Sequence, residues 1–163
     1  MYGELETNIY FVRHAQSDYS NKDEKLRPLT EKGMEDRMRV TKALQDKNIV
    51  AVYSSPYKRA YDTVKDLADR YGLEINVVED FKERKVDNAW VEDFRAFSRK
   101  QWGDFNFKLE NGECLREVQE RNVTAFYDVL KNNLGRNVVV GSHGTALSTI
   151  INYFSPDFGY DDF

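Results

Sequence analysis

The chain has 163 residues, 40% hydrophobic and 32% charged, with a formal charge of −4, which suits one domain over 1–163 with a substantial core. The acidic balance argues against nucleic acid as a partner, and no apolar run or basic-then-apolar leader points to a membrane. Two histidines and one cysteine leave little material for a soft-metal site, and the lone Cys114 fits a reducing cytoplasm.

The polar opening 1–7, "MYGELET", is read as a flexible end. Residues 9–14, "IYFVRH", form a continuous apolar run of the kind a strand covered on both faces carries. A helix is predicted over 30–48, with Thr30 as its N-cap and Met34, Met38, Thr41 and Leu44 at helical spacing. A second strand, "IVAVYSS", spans 49–55. The helix predicted after it has Ser55 as cap, Pro56 in the first turn and Gly72 at its close. Ala60, Val64, Leu67, Ala68 and Tyr71 form its inward stripe.

"EINVV" at 74–78 is a short strand. A helix with an aromatic face is predicted over 89–102, and a long one from 112, closed by Gly135. "NVVVGSHG", 137–144, repeats the opening design of an apolar strand ending in histidine, and 145–154 is again helical. Strands alternating with helices imply a three-layer α/β/α sandwich with a mostly parallel central sheet. Ligands bind such sheets at the carboxyl ends of the strands. Both histidines therefore belong on one edge.

The residues at that edge are Arg13 and His14 after the first strand, Ser54 and Ser55 after the second, and Arg59 one turn into the next helix. Glu83 lies in "FKERK" after the third strand, and Ser142-His143-Gly144 ends the last. Phosphoryl transfer requires this mixture. Charge spreads over three equatorial oxygens, guanidinium forks bind them in pairs, and helix N-termini add N–H donors. A neutral imidazole attacks phosphorus, nearby arginines disfavour its protonation, and a carboxylic acid protonates the leaving oxygen. Arginines and histidine supply the charge without a metal.

"VRHAQS" resembles the Arg-His-Gly-Glu-Ser signature of the histidine phosphatase superfamily, the phosphoglycerate mutase-like family. "RPLTEKG", "SSPYKRAYDT", "FKERK", "GECLREVQER" and "VVVGSHG" resemble further blocks of that family, in family order and over nearly the whole chain. The resemblance implies a phosphoglycerate mutase-like fold. It makes His14 the phosphoryl-accepting nucleophile, gives Arg13, Arg59 and His143 the phosphoryl oxygens, and makes Glu83 the general acid and then base. Gly144 opens the helix whose N-terminus binds phosphate. Glu79 and Asp80 are the substitutes for Glu83. Lys82, Arg84 and Lys85 are either substrate contacts or surface charge.

The chain also departs from the pattern. Ala15 and Gln16 replace Gly-Glu, and Ser20 stands where many members carry a phosphate-binding asparagine, with Asn21 beside it. Both are candidate phosphate contacts. The glycine usual after the acid segment is absent from "KVDNAW", and the edge strand usual after the last helix is not evident before "GYDDF". Trp90, Phe94, Phe97 and Trp102 are either core or a substrate lid, and Cys114 is structural.

The short segment from Glu83 to Gly112 favours a small cap and an open pocket. The expected activity is therefore metal-independent phosphomonoester hydrolysis of a phosphorylated small molecule, with no cofactor. Cofactor-dependent phosphoglycerate mutase, phosphohistidine-protein phosphatase and an inactive phospho-ligand-binding domain are the alternatives.

Overall fold

The computed structural model describes residues 5–163. Of the end expected to be flexible, 1–4 lie outside the described residues. Leu5 and Glu6 are exposed, and Thr7 Oγ1 accepts the Gly135 N–H at 2.8 Å.

The elements run β1 (Asn8–Arg13), α1 (Glu31–Leu44), β2 (Ile49–Ser54), α2 (Lys58–Tyr71), β3 (Ile75–Val77), α3 (Phe94–Gly103), α4 (Leu115–Asn132), β4 (Asn137–Ser142) and α5 (Gly144–Phe154). Single 3-10 turns occupy Glu79–Phe81 and Tyr160–Asp162. The strands form one four-stranded sheet in the order β1-β4-β2-β3, with every pair parallel. β4 is central, and its Val138, Val139 and Val140 are fully buried, each burial contributing about 1.5–3 kcal/mol.

Alternation along β4 divides the core between the two faces. Val139 packs with Val52, Val64, Leu67 and Ala68 on the α2 side. Val138 and Val140 pack with Phe81, Ala125, Val129 and Ile150 on the α4 and α5 side. The expected three layers are present. β1 lies at the sheet edge and is half-buried, with Tyr10 and Val12 packed against the α2-side core and Ile9 and Phe11 against the α4- and α5-side core, as expected of a strand covered on both faces.

Helix boundaries depart from the sequence reading where side chains are used elsewhere. Thr30 caps α1 as expected, accepting the Gly33 N–H. Met34 and Met38 are exposed, because α1 meets α2 through polar contacts. Arg37 donates to the Asp62 carbonyl and Thr41 to the Asp66 carboxylate. α2 begins at Lys58 rather than at Pro56, with Tyr57 as N-cap, and Gly72 closes it in the left-handed conformation (φ 64°). α3 begins at Phe94 because Asp93, not an earlier residue, accepts the Ala96 N–H. α4 starts after Cys114, whose backbone N–H donates to Glu117. Among the described residues no helix is long and apolar enough to cross a membrane.

The "PLTEKG" block brings α1 onto the turn that follows β1. The Thr30 N–H donates to the Gln16 carbonyl, and a Cβ added at Gly33 would overlap that same oxygen. Substituting Gly33→Ala is therefore expected to destabilise the fold by about 1–3 kcal/mol, the usual range for overpacking. Urea unfolding at pH 7 measures this, and a midpoint equal to wild type refutes the close packing.

Candidate active site

β1 and β4 pair in register from Asn8 on Asn137 to Arg13 on Ser142. The ladder continues one step past the strands, where the His14 N–H donates to the Ser142 carbonyl and the Ser55 N–H to the Gly141 carbonyl. His14, His143 and Ser55 thus leave the sheet together. The two imidazole centroids are 5.4 Å apart.

The half-buried His14 has its Nδ1 2.7 Å from the carbonyl oxygen of Ala15. A carbonyl only accepts, so the proton is on Nδ1 and the Nε2 lone pair is free. Burial is the largest cause holding the His14 pKa below 6.5; Arg59 and Arg13 lower it further, while the Ala15 bond and Glu83 oppose them. The turn is fixed from below: the Ala15 N–H donates to Thr63 Oγ1, whose hydroxyl donates to the Arg59 carbonyl.

His143 is fully buried, with Nε2 2.7 Å from Ser55 Oγ. Ser55 Oγ also accepts the Tyr57 N–H. Among the described residues the hydroxyl proton has no other acceptor than His143 Nε2, which places the ring proton on Nδ1. That Nδ1 has no partner among the described residues. Burial, followed by Arg59, pushes the His143 pKa well below 6.5. Ser55 is not the N-cap of α2, because the helix begins at Lys58 and the N–H that Ser55 Oγ accepts belongs to Tyr57, the residue before it. The Tyr57 ring packs edge-on against His143 at 5.4 Å.

The Arg13 guanidinium lies against Gly144, where an added Cβ would come within 3.3 Å of Arg13 Cζ. Arg59 is buried at 3% exposure and donates to Glu24, through Nη1 to the carbonyl oxygen (2.6 Å) and through Nη2 to Oε2 (3.0 Å).

Glu83 spans the start of α5. Its Oε2 accepts the Thr145 N–H, and its Oε1 accepts those of Ala146 and Arg84. The helix N-terminus expected to serve phosphate thus also binds the candidate acid. Arg121 of α4 holds the acid's loop, donating to the carbonyls of Asp80, Lys82 and Glu83 and to the Glu113 carboxylate. Arg84 is buried, donates to Gln101 Oε1 and packs between the Phe94 and Phe97 rings, so it is not surface charge.

Ser20 and Asn21 are not bonded to this cluster. The Ser20 hydroxyl donates to Asp18, and Asn21 Oδ1 accepts the Asp23 N–H. Sequence reasoning assigned no role to Glu24, Arg27, Thr63 or Arg121. Thr63, Arg27 and Arg121 carried a signal as end residues of the "SSPYKRAYDT", "RPLTEKG" and "GECLREVQER" blocks, whereas Glu24 carried none.

The family model for the histidine phosphatase superfamily (branch 1) matches residues 9–162. The chain belongs to this superfamily. Among its superfamily relatives, the "Metal-independent phosphoserine phosphatase" of Arabidopsis thaliana is 27% identical over 159 residues, covering 88% of this chain and 67% of the relative. The "Probable phosphoglycerate mutase GpmB" of Salmonella typhi is 25% identical, covering 88% and 72%. The solved structure of Bacillus stearothermophilus YhfR superposes with a TM-score of 0.80 at 25% identity, covering 93% of this chain and 81% of that one.

In this superfamily member both imidazoles are kept neutral by their surroundings, with a consequence for stability. The unfolded chain takes up protons near pH 6.5, while the folded imidazoles resist protonation until lower pH. Stability is therefore full above pH 6.5 and falls as the pH drops below it. Thermal unfolding between pH 7.5 and 5.5 tests this, and His143→Asn is expected to flatten the slope. A wild-type midpoint independent of pH over that window refutes it.

Proposed function

We propose that this chain is a metal-independent phosphatase that hydrolyses phosphomonoesters through a phosphohistidine on His14. The observation that carries this reading is the Nδ1–H bond of His14 to the Ala15 carbonyl, which commits the proton and leaves Nε2 as the nucleophile. The block match and the name of the Arabidopsis relative support it.

In the first step Nε2 attacks phosphorus, an N–P bond forms and the ester P–O bond breaks. Arg13, Arg59 and the Nδ1–H of His143 neutralise the charge on the phosphoryl oxygens. The leaving oxygen takes its proton from Glu83. Of the two carboxyl oxygens, Oε2 accepts one backbone N–H and Oε1 accepts two, so Oε2 has the spare capacity to carry that proton. In the second step the Glu83 carboxylate takes a proton from water as the water oxygen attacks phosphorus. The N–P bond breaks, releasing inorganic phosphate and restoring neutral His14 and protonated Glu83.

The substrate class is a small phosphorylated metabolite, and phosphoserine is the first to try, given the relatives' names. A mutase reading draws on the GpmB relative, and interconversion of monophosphoglycerates with a bisphosphate primer would reveal it.

Hydrolysis of p-nitrophenyl phosphate is expected to be unaffected by EDTA and reduced at least about a thousandfold by His14→Ala, the scale lost with a covalent nucleophile. Inhibition by EDTA refutes the metal-free reaction, and an active alanine variant removes His14 from its role. Because the His14 pKa lies below 6.5, the acidic limb of kcat/KM is expected below that pH, with activity lost as Nε2 is protonated. A limb above pH 6.5 contradicts the burial argument.

A further inference from the structure

The run "NKDEKLR", 21–27, carries five charged side chains in seven residues. In the fold it carries a carboxylate shared by two buried guanidinium groups. Glu24 Oε1 accepts from Arg27 Nη2 at 2.7 Å, and Oε2 from Arg59 Nη2 at 3.0 Å. The Glu24 carbonyl oxygen accepts from Arg59 Nη1 as well. Arg27 and Arg59 are 2% and 3% exposed, and neither is ion-paired to another carboxylate.

We propose that Glu24 is the positioning residue for Arg59, fixing how that guanidinium is presented to a phosphoryl group on His14. The assignment rests on the phosphatase reading above. A guanidinium has five N–H donors, and the two bonds to Glu24 leave Nε–H and one N–H on each terminal nitrogen for phosphoryl oxygens.

The alternative is that Glu24 is an internal anion that substrate displaces. Two features oppose this. First, the loop is locked: Asp23 Oδ1 accepts the N–H groups of Lys25 and Leu26, and the Lys58 N–H of α2's first turn donates to the Lys25 carbonyl. Second, one of the two contacts to Arg59 is a backbone carbonyl, which cannot swing away while that loop stands. Removing the carboxylate would act in opposite directions. It would leave the site with more positive charge, but the Glu24 side chain is 52% exposed and its field is screened by solvent. It would also loosen the aim of Arg59, and a misplacement of about 1 Å costs about a hundredfold in rate. Orientation outweighs charge.

The test compares wild type with Glu24→Ala, Glu24→Gln and Glu24→Asp in two measurements. These are kcat and KM with p-nitrophenyl phosphate, and the Kd of inorganic phosphate by calorimetry, which needs no turnover. Glu24→Ala is expected to lower kcat by about ten- to a hundredfold and weaken phosphate by about tenfold, within the range that loss of alignment produces. Glu24→Asp keeps the charge and recovers most of both, while the isosteric Glu24→Gln gives intermediate values. Should the alanine variant fail to fold by circular dichroism, the Gln and Asp variants decide. Tighter phosphate binding on removal of the charge makes Glu24 a competitor and overturns the proposal, as do unchanged kcat and Kd. A wild type that binds phosphate but hydrolyses nothing refutes the phosphatase reading, and Glu24 is then judged on the phosphate constants alone. A wild type that does not bind phosphate overturns both.

Discussion

The in-register pairing of β1 with β4 is the constraint on which the site depends. Arg13 lies opposite Ser142, so the next residue of each strand is a histidine, and the backbone bond from His14 to Ser142 extends the ladder to the imidazoles themselves. Two groups far apart in sequence are held at one edge by the hydrogen bonds that build the sheet. A slip of one residue would turn one histidine to the opposite face, because strand side chains alternate. The buried valines of β4 select against that slip, since their alternation between the two halves of the core would be reversed with it.

The second organising fact is how charge is distributed around those imidazoles. Burial keeps both rings neutral, and the arginines reinforce it without being the main cause. The positive charge beside them comes from guanidinium groups, each held by contacts away from the imidazoles. Arg13 rests on Gly144 and Arg59 is gripped by Glu24. Neutral imidazoles and fixed guanidinium groups are thus supported by different contacts. The hydroxyl of Ser55 and the carbonyl of Ala15 add a further level of control by choosing which ring nitrogen carries the proton.

The order of strands and helices was legible in the sequence because periodicity and punctuation are local. The placement of His14, His143, Arg59 and Glu83 followed from strand ends and block order. What escaped was set by contacts between distant segments. Ser55 has the composition of a helix cap, but a histidine 88 residues away takes its hydroxyl. Met34 and Met38 share their spacing with Thr41 and Leu44, yet only the latter two turn inward, Thr41 donating to the Asp66 carboxylate and Leu44 packing on the α2-side core, while Arg37 reaches the Asp62 carbonyl. Glu24 stands among charges outside every block, and nothing local links it to Arg59, 35 residues away. Ser20 aligned with a family phosphate contact, but here its hydroxyl is used by Asp18 two residues earlier.

The grip of Arg121 on the acid's loop has a consequence for how this protein can change over generations. Three of its bonds end on the carbonyl oxygens of Asp80, Lys82 and Glu83, atoms that every amino acid possesses. The clamp therefore recognises the path of the main chain and is indifferent to the side chains at 80 and 82. Substitutions there leave the three acceptors where they are, so the place of Glu83 is inherited separately from the identity of its neighbours.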